Sequence, residues 1–210
     1  MATRLIIARH GNTFAIQEIV RRVGITDLPL TEVGQQQGFL LGTYLQAQEL
    51  IPDVIFTSKL QRTIQTAQKA QEAMGTNLSI NRLSIFDEIN YGPDENQPES
   101  EVVARLGDKA LKAWEEQAIV PQGWLVDPRE IINNWLAFST HLYNDYAEKT
   151  CLVITSNGIA RFAAHLTGDF EAFSSQHKIK IATGAFCHFE ISRPNTVWNC
   201  LAWNKKPGDN

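Results

Sequence analysis

Cysteine, long apolar runs and positive charge are all in short supply in this sequence. The three cysteines, Cys151, Cys187 and Cys200, form an odd set without a Cys-x-x-Cys spacing, which argues against a disulfide framework and a zinc site. The longest apolar runs, such as residues 5–8, are far shorter than the ~20 residues of a membrane-spanning helix. The first residues lead straight into a strand-like run, without a secretory apolar region. We therefore expect reduced, buried thiols in a cytoplasmic protein that has no membrane partner.

The formal net charge of −4 provides no overall basic field that would attract nucleic acid or an anionic membrane. A small anionic ligand would need a local cluster of arginine and histidine instead. The sequence also lacks the Walker A, His-Glu-x-x-His and Gly-x-Ser-x-Gly motifs and any zinc-ligand spacing. We accordingly expect no nucleic-acid partner, no metal and no cofactor.

Composition and periodicity indicate one globular domain. Hydrophobic residues make up 43% of the 210 residues and charged residues 20%, as in chains with a packed core. Strand-like segments alternate with helical ones, which predicts an α/β three-layer sandwich whose central sheet is mostly parallel and flanked by helices. The predicted strands cover 4–9, 53–57, 78–86, 151–155, 185–191 and 196–203, and the predicted helices cover 33–48, 59–74, 100–117, 129–148 and 159–167. We predict a single domain over 1–210, with a cap-like insertion at about 90–128.

Polar residues follow three of the predicted strands. They are Arg9-His10-Gly11, Thr57-Ser58 and the loop 155–158. Because the carboxyl ends of parallel strands share one edge of a sheet, these loops should meet there. Arg62 falls in the first turn of a helix that we expect Ser58 to cap, and a helix N-terminus with an arginine favours an anion. Each residue alone is more often structural, but two arginines, a histidine and helix amides together predict a phosphoryl pocket.

Four segments, in this order, resemble one known family. The run ending in Arg9-His10-Gly11-Asn12-Thr13 resembles its opening strand and Arg-His-Gly-Glu-Thr signature, with Asn12 in place of glutamate. Residues 27–31 resemble its Pro-Leu-Thr helix start, where Thr31 is the expected N-cap. Residues 58–67 match its Ser-x-Leu-x-Arg-x-x-x-Thr-Ala segment, and residues 87–92 resemble the segment that supplies its acid. The resemblance is to the histidine phosphatase superfamily, the phosphoglycerate mutase-like enzymes, and it covers nearly the whole chain.

The resemblance implies a role for each of several residues. His10 would be the nucleophile that takes the phosphoryl group, Arg9 and Arg62 would hold its oxygens, and Glu88 would be the general acid and base. The remaining substrate-binding residues implied are Thr13, Gly24, Tyr91 and Asn157. No metal or cofactor is implied.

One position departs from the family pattern. Where the family has a second histidine, in a strand–His–Gly motif, this chain has Asn157. An amide can donate a hydrogen bond to a phosphoryl oxygen but brings no charge, and charge-assisted bonds contribute ~1.5–3 kcal/mol against ~1 for neutral ones. A deficit of ~1–2 kcal/mol slows a reaction roughly 5–30-fold, and a histidine at position 157 should restore that factor.

Other conspicuous residues have structural explanations. We expect the remaining histidines to be core or surface residues, with the side chain of His141 turned toward the core. Arg161 is expected to anchor its helix rather than to meet substrate. The tryptophans at 114, 124 and 135 are expected to pack in the core, with an apolar lid over the site as the alternative.

The sequence therefore predicts a metal-independent phosphomonoesterase that acts on a small phosphorylated metabolite through a phosphohistidine on His10. One alternative, favoured by Asn157, is a weakly active or inactive pseudophosphatase that binds a phosphorylated ligand. A mutase-type phosphotransferase is less favoured, because no Arg-Arg pair lies between Glu88 and Asn157. A homodimer stays open as the oligomeric state.

Overall fold

The central sheet is built from the apolar runs of the sequence. A computed structural model describes residues 2–208, so residues 1, 209 and 210 of the predicted domain lie outside it. Six strands form this sheet: β1 (Thr3–Arg9), β3 (Val54–Thr57), β4 (Ile80–Arg82), β6 (Thr150–Thr155), β7 (Phe186–Ile191) and β8 (Asn199–Lys205). A second, two-stranded sheet pairs β2 (Arg21–Arg22) with β5 (Gln97–Pro98).

The strand order in the large sheet is β4-β3-β6-β1-β7-β8. The first four run parallel, whereas β7 is antiparallel to β1, and β8 is antiparallel to β7. Arg9 at the end of β1 pairs with Thr155 at the end of β6, and Thr57 at the end of β3 pairs with Ile154. Three strands thus finish at one edge, and both the predicted fold class and the predicted meeting of their loops are confirmed.

Helices cover both faces of the sheet because alternate side chains of each strand point to opposite faces. Along β1, Leu5 and Ile7 enter one buried cluster, and Ile6 and Ala8 enter the other. The helices are α1 (Glu32–Ala47), α2 (Gln61–Met74), α3 (Glu99–Leu106), α4 (Asp108–Gln117), α5 (Pro128–Asp145), α6 (Asn157–Ala160) and α7 (Phe170–Gln176). Short 3₁₀ helices cover Ser84–Phe86, Gly92–Asp94 and Arg161–Thr167.

Several element predictions need correction. The strand predicted at 78–86 is only β4, followed by a 3₁₀ turn. The helix predicted at 100–117 is divided into α3 and α4 at Gly107, whose φ of +77° lies in the region that glycine tolerates. The helix predicted at 159–167 is mostly 3₁₀, and α7 was not predicted.

Of the two predicted helix caps, Thr31 is confirmed and Ser58 is wrong. Thr31 is the N-cap of α1, and its side chain accepts a hydrogen bond from the Gly34 N–H, as predicted. Helix α2 instead begins after Leu60, which has no side-chain cap. The Oγ of Ser58 accepts from the Leu60 N–H at 3.1 Å, so it orders the turn before the helix rather than capping it.

The segment predicted as a cap contains α3, α4 and a well-bonded loop. Its Asp94 carboxylate pairs with Arg105 and accepts from the Trp124 indole N–H at 2.7 Å. The tryptophans at 114, 124 and 135 are buried, which agrees with core packing. His141 is a correction: its side chain is about half exposed and pairs with Asp145 on the next turn of α5, so it is not buried in the core. That this segment is a cap-like insertion stays a prediction.

The cysteines of the described chain are free, and Cys151 and Cys187 are buried. Burial raises the pKa of the Cys151 thiol to about 12, so it stays protonated. Across residues 2–208, no helix is long and apolar enough to cross a membrane.

Candidate active site

A cleft of about 440 Å³ lies where β1, β3 and β6 end. Most of the residues predicted for the site line it: Arg9, His10, Thr13, Arg62, Glu88, Tyr91 and Asn157. They come from four separate stretches of sequence, and the parallel strands bring these together. Gly24 does not line the cleft. Its carbonyl accepts a hydrogen bond from Arg62 Nη2 at 2.5 Å, so it positions that side chain.

The imidazole of His10 is held in one orientation. Its Nδ1 lies 2.7 Å from the Gly11 carbonyl oxygen, which can only accept, so Nδ1 bears the proton. The other nitrogen, Nε2, is therefore left with its lone pair. The residue is only 6% exposed, and burial, followed by the positive charges of Arg62 and Arg9, lowers the pKa of His10 well below its usual value. A neutral imidazole with an unprotonated Nε2 can act as a nucleophile.

The guanidinium groups of Arg9 and Arg62 are fixed by backbone carbonyls rather than by carboxylates. Arg9 Nη1 donates to the Ile181 carbonyl at 2.7 Å, and Arg62 Nη1 donates to the Thr26 carbonyl at 2.8 Å. Arg9 Nε is buried and has no hydrogen-bond partner among residues 2–208. Burial lowers the pKa of both groups, and a guanidinium ordinarily stays charged in proteins. Two oriented cations without a carboxylate partner favour an anionic ligand beside His10.

The predicted contribution of the helix N-terminus is wrong. The main-chain N–H of Lys59 donates to Asp87, and that of Gln61 donates to Asp27, both at 2.7 Å. Carboxylates of the protein itself thus occupy an N–H group in the turn before α2 and the first N–H group of the helix. Arg62 lines the cleft.

Glu88 is placed by a close approach between distant segments. The turn before it is held to β6, because Thr155 Oγ1 donates to the Phe86 carbonyl at 2.7 Å. Glu88 Oε1 accepts from the Ile89 N–H at 2.9 Å, and Oε2 accepts from the Gly158 N–H at 3.0 Å. A Cβ on residue 158 would lie 2.2 Å from Oε1, so only glycine leaves room for this carboxylate. Glu88 is 7% exposed and faces the cleft.

The amide of Asn157 is also oriented. Its Oδ1 accepts from the Ile181 N–H at 2.8 Å, so its Nδ2 group, which only donates, is turned the other way. Asn157 lines the cleft. The main chain of Ile181 thus contacts both side chains: its N–H donates to Asn157, and its carbonyl accepts from Arg9.

Sequence reasoning missed several cationic residues of this cleft. Arg21, Arg22 and Lys180 line it, and so does Arg161, which was expected only to anchor its helix. The Arg21-Arg22 pair was visible in the sequence, but its position depends on the small β2–β5 sheet. Within the described part of the chain, no group of three or more His, Cys, Asp or Glu side chains is placed to hold a metal ion.

Comparison with known proteins identifies the family. The chain matches the histidine phosphatase superfamily (branch 1) over residues 5–206. It belongs to this family.

A related sequence is the 2,3-bisphosphoglycerate-dependent phosphoglycerate mutase of Bifidobacterium longum. It is 30% identical over 122 residues, which are 58% of this chain and 49% of that protein. The chain thus matches about half the length of this mutase.

Two solved structures share the fold. One is a mycobacterial glucosyl-3-phosphoglycerate phosphatase in complex with inorganic phosphate, with a TM-score of 0.77 and 19% identity over 99% of each chain. The other is the Entamoeba histolytica phosphoserine phosphatase in complex with 3-phosphoglyceric acid. Its TM-score is 0.73, with 20% identity over 97% of this chain and 98% of that one.

Proposed function

We propose that this protein is a phosphomonoesterase that hydrolyses a small phosphorylated metabolite through a phosphohistidine on His10. The observation that supports this most is the state of His10, a neutral imidazole whose unprotonated Nε2 lies in the same cleft as two carbonyl-held arginines. Related proteins that bind phosphate and phosphoglycerate share its fold. We further propose that residues 90–128 form a cap which shapes the substrate side.

The chemistry divides into two displacements. In the first, His10 Nε2 attacks phosphorus, the bond from phosphorus to the ester oxygen breaks, and Glu88 gives its proton to the departing alkoxide. In the second, the Glu88 carboxylate takes a proton from water, whose oxygen attacks the phosphohistidine, and the phosphorus–nitrogen bond breaks. Arg9 and Arg62 stabilise the charge on the equatorial oxygens in both steps. Phosphate and an alcohol leave, and His10 and Glu88 return to their starting states.

Asn157 is the residue that favours the second candidate, a pseudophosphatase that binds but does not turn over. We propose that Asn157 stands at the position of the second histidine and donates its Nδ2–H to a phosphoryl oxygen. The amide lacks a charge, but His10, both arginines and Glu88 still line the cleft. These residues favour a working enzyme over a binding protein.

A panel of phosphorylated metabolites and an aryl phosphate, assayed for phosphate release, tests the proposal. We expect slow hydrolysis of the aryl phosphate without added metal, at a rate that a chelator leaves unchanged, because the roles above are filled by His10, Arg9, Arg62 and Glu88. A chelator-sensitive rate that added divalent metal restores would refute the metal-independent mechanism. Binding of several of these compounds without release of phosphate from any of them would support the pseudophosphatase.

The protonation state of His10 can be measured directly. Because burial and the neighbouring arginines lower its pKa, the imidazole should stay neutral well below the ordinary value of about 6.5. An NMR titration of ring-labelled protein, with the His10 signal assigned by its loss in His10→Gln, should show no titration of that ring between pH 7.5 and about 6. A His10 midpoint at or above about 6.5 would contradict the proposed resting state.

Substitutions at Asn157 test its donor role. In Asn157→Asp the new carboxylate still accepts from the Ile181 N–H, but it replaces the donor with a negative charge beside the phosphoryl group. We expect kcat/KM to fall roughly 10–150-fold or more. Asn133→Asp, on the outer part of α5, is the matched control. If kcat/KM of Asn157→Asp stays within about threefold of kcat/KM of Asn133→Asp, the amide does not touch the phosphoryl group.

The geometry also lowers the gain expected from Asn157→His. The Ile181 N–H that now donates to Oδ1 would donate to ring Nδ1, which keeps the imidazole neutral and its proton on Nε2. The restored ring therefore brings a donor without a charge. We expect kcat to rise by less than about fivefold near neutral pH. This is below the roughly 5–30-fold rise expected if the new ring were charged.

A further inference from the structure

The orientation of Arg62 depends on a short loop that has no backbone pairing of its own. Arg62 is 1% exposed, and its guanidinium donates to the carbonyls of Gly24 and Thr26 at 2.5 and 2.8 Å. Within residues 2–208, the loop 24–26 makes no backbone–backbone hydrogen bond and belongs to no helix or strand. Something other than regular secondary structure must therefore fix the two carbonyls that hold this arginine.

Glu95 holds the loop 24–26 through its donors. The Oε1 of Glu95 accepts three hydrogen bonds: from the Gly24 N–H at 3.0 Å, from the Thr26 N–H at 3.0 Å and from the Thr26 hydroxyl at 2.7 Å. The same two loop residues thus donate to Glu95 and accept from Arg62. Because hydrogen bonds to a carboxylate are stronger than those between neutral groups, these contacts fix the loop.

Glu95 also belongs to the segment that carries Glu88. Its Oε2 accepts from the Tyr91 N–H at 3.3 Å. The loop and this segment come so close that a Cβ on Gly24 would lie 2.0 Å from the Ile89 carbonyl oxygen and 2.7 Å from Glu95 Oε2. The Glu95 carboxylate therefore links the loop to the segment that places Glu88.

The neighbouring carboxylate, Asp94, has different partners. It accepts from Arg105 Nε at 2.6 Å and from the Trp124 indole N–H at 2.7 Å, and both partners belong to residues 90–128. Asp94 thus ties together residues of its own segment, whereas Glu95 reaches the loop 24–26. Within the described part of the chain, neither carboxylate lines the cleft, so any effect of Glu95 on a ligand must pass through another residue.

We propose that Glu95 is a positioning residue for Arg62 and acts through the loop 24–26. This inference rests on the proposed function, since Arg62 is the arginine that holds the phosphoryl group in that reaction. Without the carboxylate, three loop donors lose their acceptor, and the carbonyls of Gly24 and Thr26 are free to shift. A guanidinium displaced by about 1 Å binds the phosphoryl oxygens less well, and a displacement of this size can slow a reaction as much as about 100-fold.

A double-mutant cycle on phosphate affinity tests the proposal. Calorimetry with inorganic phosphate needs no turnover. Glu95→Ala should weaken phosphate binding about fivefold or more in the otherwise unchanged chain. It should weaken binding less than about twofold when Arg62→Met is also present, because the arginine through which it acts is gone. Equal weakening in both backgrounds, or no weakening in either, would overturn the proposal.

Two further variants separate positioning from general stability. Asp94→Ala is the matched control, and it should lower the melting temperature but leave phosphate affinity within about twofold. Glu95→Gln keeps an oxygen for the three loop donors and gives up the longer Tyr91 bond, so it should restore most of the affinity lost in Glu95→Ala. A loss in Asp94→Ala or in Glu95→Gln as large as that in Glu95→Ala would count against a role through the loop.

Kinetics on the same variants separates this proposal from the proposed function. The kcat/KM for an aryl phosphate should show the same dependence of Glu95→Ala on Arg62. Coupling in the binding data without hydrolysis of any ester would refute the enzyme but retain the role of Glu95. Hydrolysis without coupling in either measurement would retain the enzyme and overturn that role. If Glu95→Ala or Arg62→Met does not fold, Glu95→Asp and Arg62→Lys complete the same cycle.

Discussion

His10→Ala should lower turnover of an aryl phosphate by about 10³-fold or more, because it removes the group that forms the covalent intermediate. The fold should survive, since the ring of His10 makes its one hydrogen bond, among residues 2–208, to the neighbouring Gly11 carbonyl. Phosphate affinity should largely persist, because Arg9 and Arg62 are held by carbonyls elsewhere in the chain. Steady-state kinetics, melting temperature and calorimetry with inorganic phosphate measure these three properties.

The matched control is His141→Ala, which changes an exposed histidine on α5 and removes its pair with Asp145 and its ring contact with Tyr146, both outside the cleft. It should retain full turnover. Retention of more than about a tenth of wild-type activity in His10→Ala would show that His10 is not the nucleophile.

Glu88→Gln should reduce turnover of alkyl phosphates by about 10²–10⁴-fold, the usual size of a general acid–base contribution. Aryl phosphates should lose at least about tenfold less, because a phenolate departs without a proton whereas an alkoxide needs one. Turnover of one alkyl and one aryl ester on the same preparation measures the difference. Glu101→Gln, on the exposed surface of α3, is the control and should leave both rates unchanged.

The structure adds a second effect of Glu88→Gln. The carboxylate accepts two main-chain N–H groups, from Ile89 and Gly158, and an amide has only one oxygen to offer. The leftover buried donor should cost about 1–3 kcal/mol of unfolding free energy, seen as a lower melting temperature. Equal losses on alkyl and aryl esters, together with lower stability, would mean that Glu88 is structural.

Local sequence patterns were sufficient to predict the site residues that the ends of the sheet strands bring together. Arg9 ends a buried strand and His10 follows it, and Arg62 lies at the start of the helix after another strand. The meeting of these residues required only that the strands be parallel. Glu88 has no such local signal, since its place depends on contact with Gly158, 70 residues further along the chain, and the family resemblance alone pointed to it.

One of the remaining errors has a local origin in the backbone, and the others arise from contacts between distant segments. The pattern of 100–117 is helical throughout, and a single glycine with positive φ divides it. Arg161 looks like a helix anchor in sequence, and it does donate to the Asn157 carbonyl. Its position in the cleft depends on α4, which brings the Trp114 carbonyl and ring against it. The sequence likewise predicted that the start of α2 binds an anionic ligand. The carboxylates of Asp27 and Asp87, from other segments, accept N–H groups there instead.

The central claim is that the phosphoryl group passes through His10 Nε2. The most direct measurement is rapid quenching of the protein with an excess of ³²P-labelled phosphomonoester, followed by peptide mapping and acid treatment. The account predicts label on the peptide that contains His10, stable in base and lost in acid, and absent from His10→Ala under the same conditions. Hydrolysis of the ester with no labelled His10 peptide at any quench time, or equal labelling of His10→Ala, would contradict it.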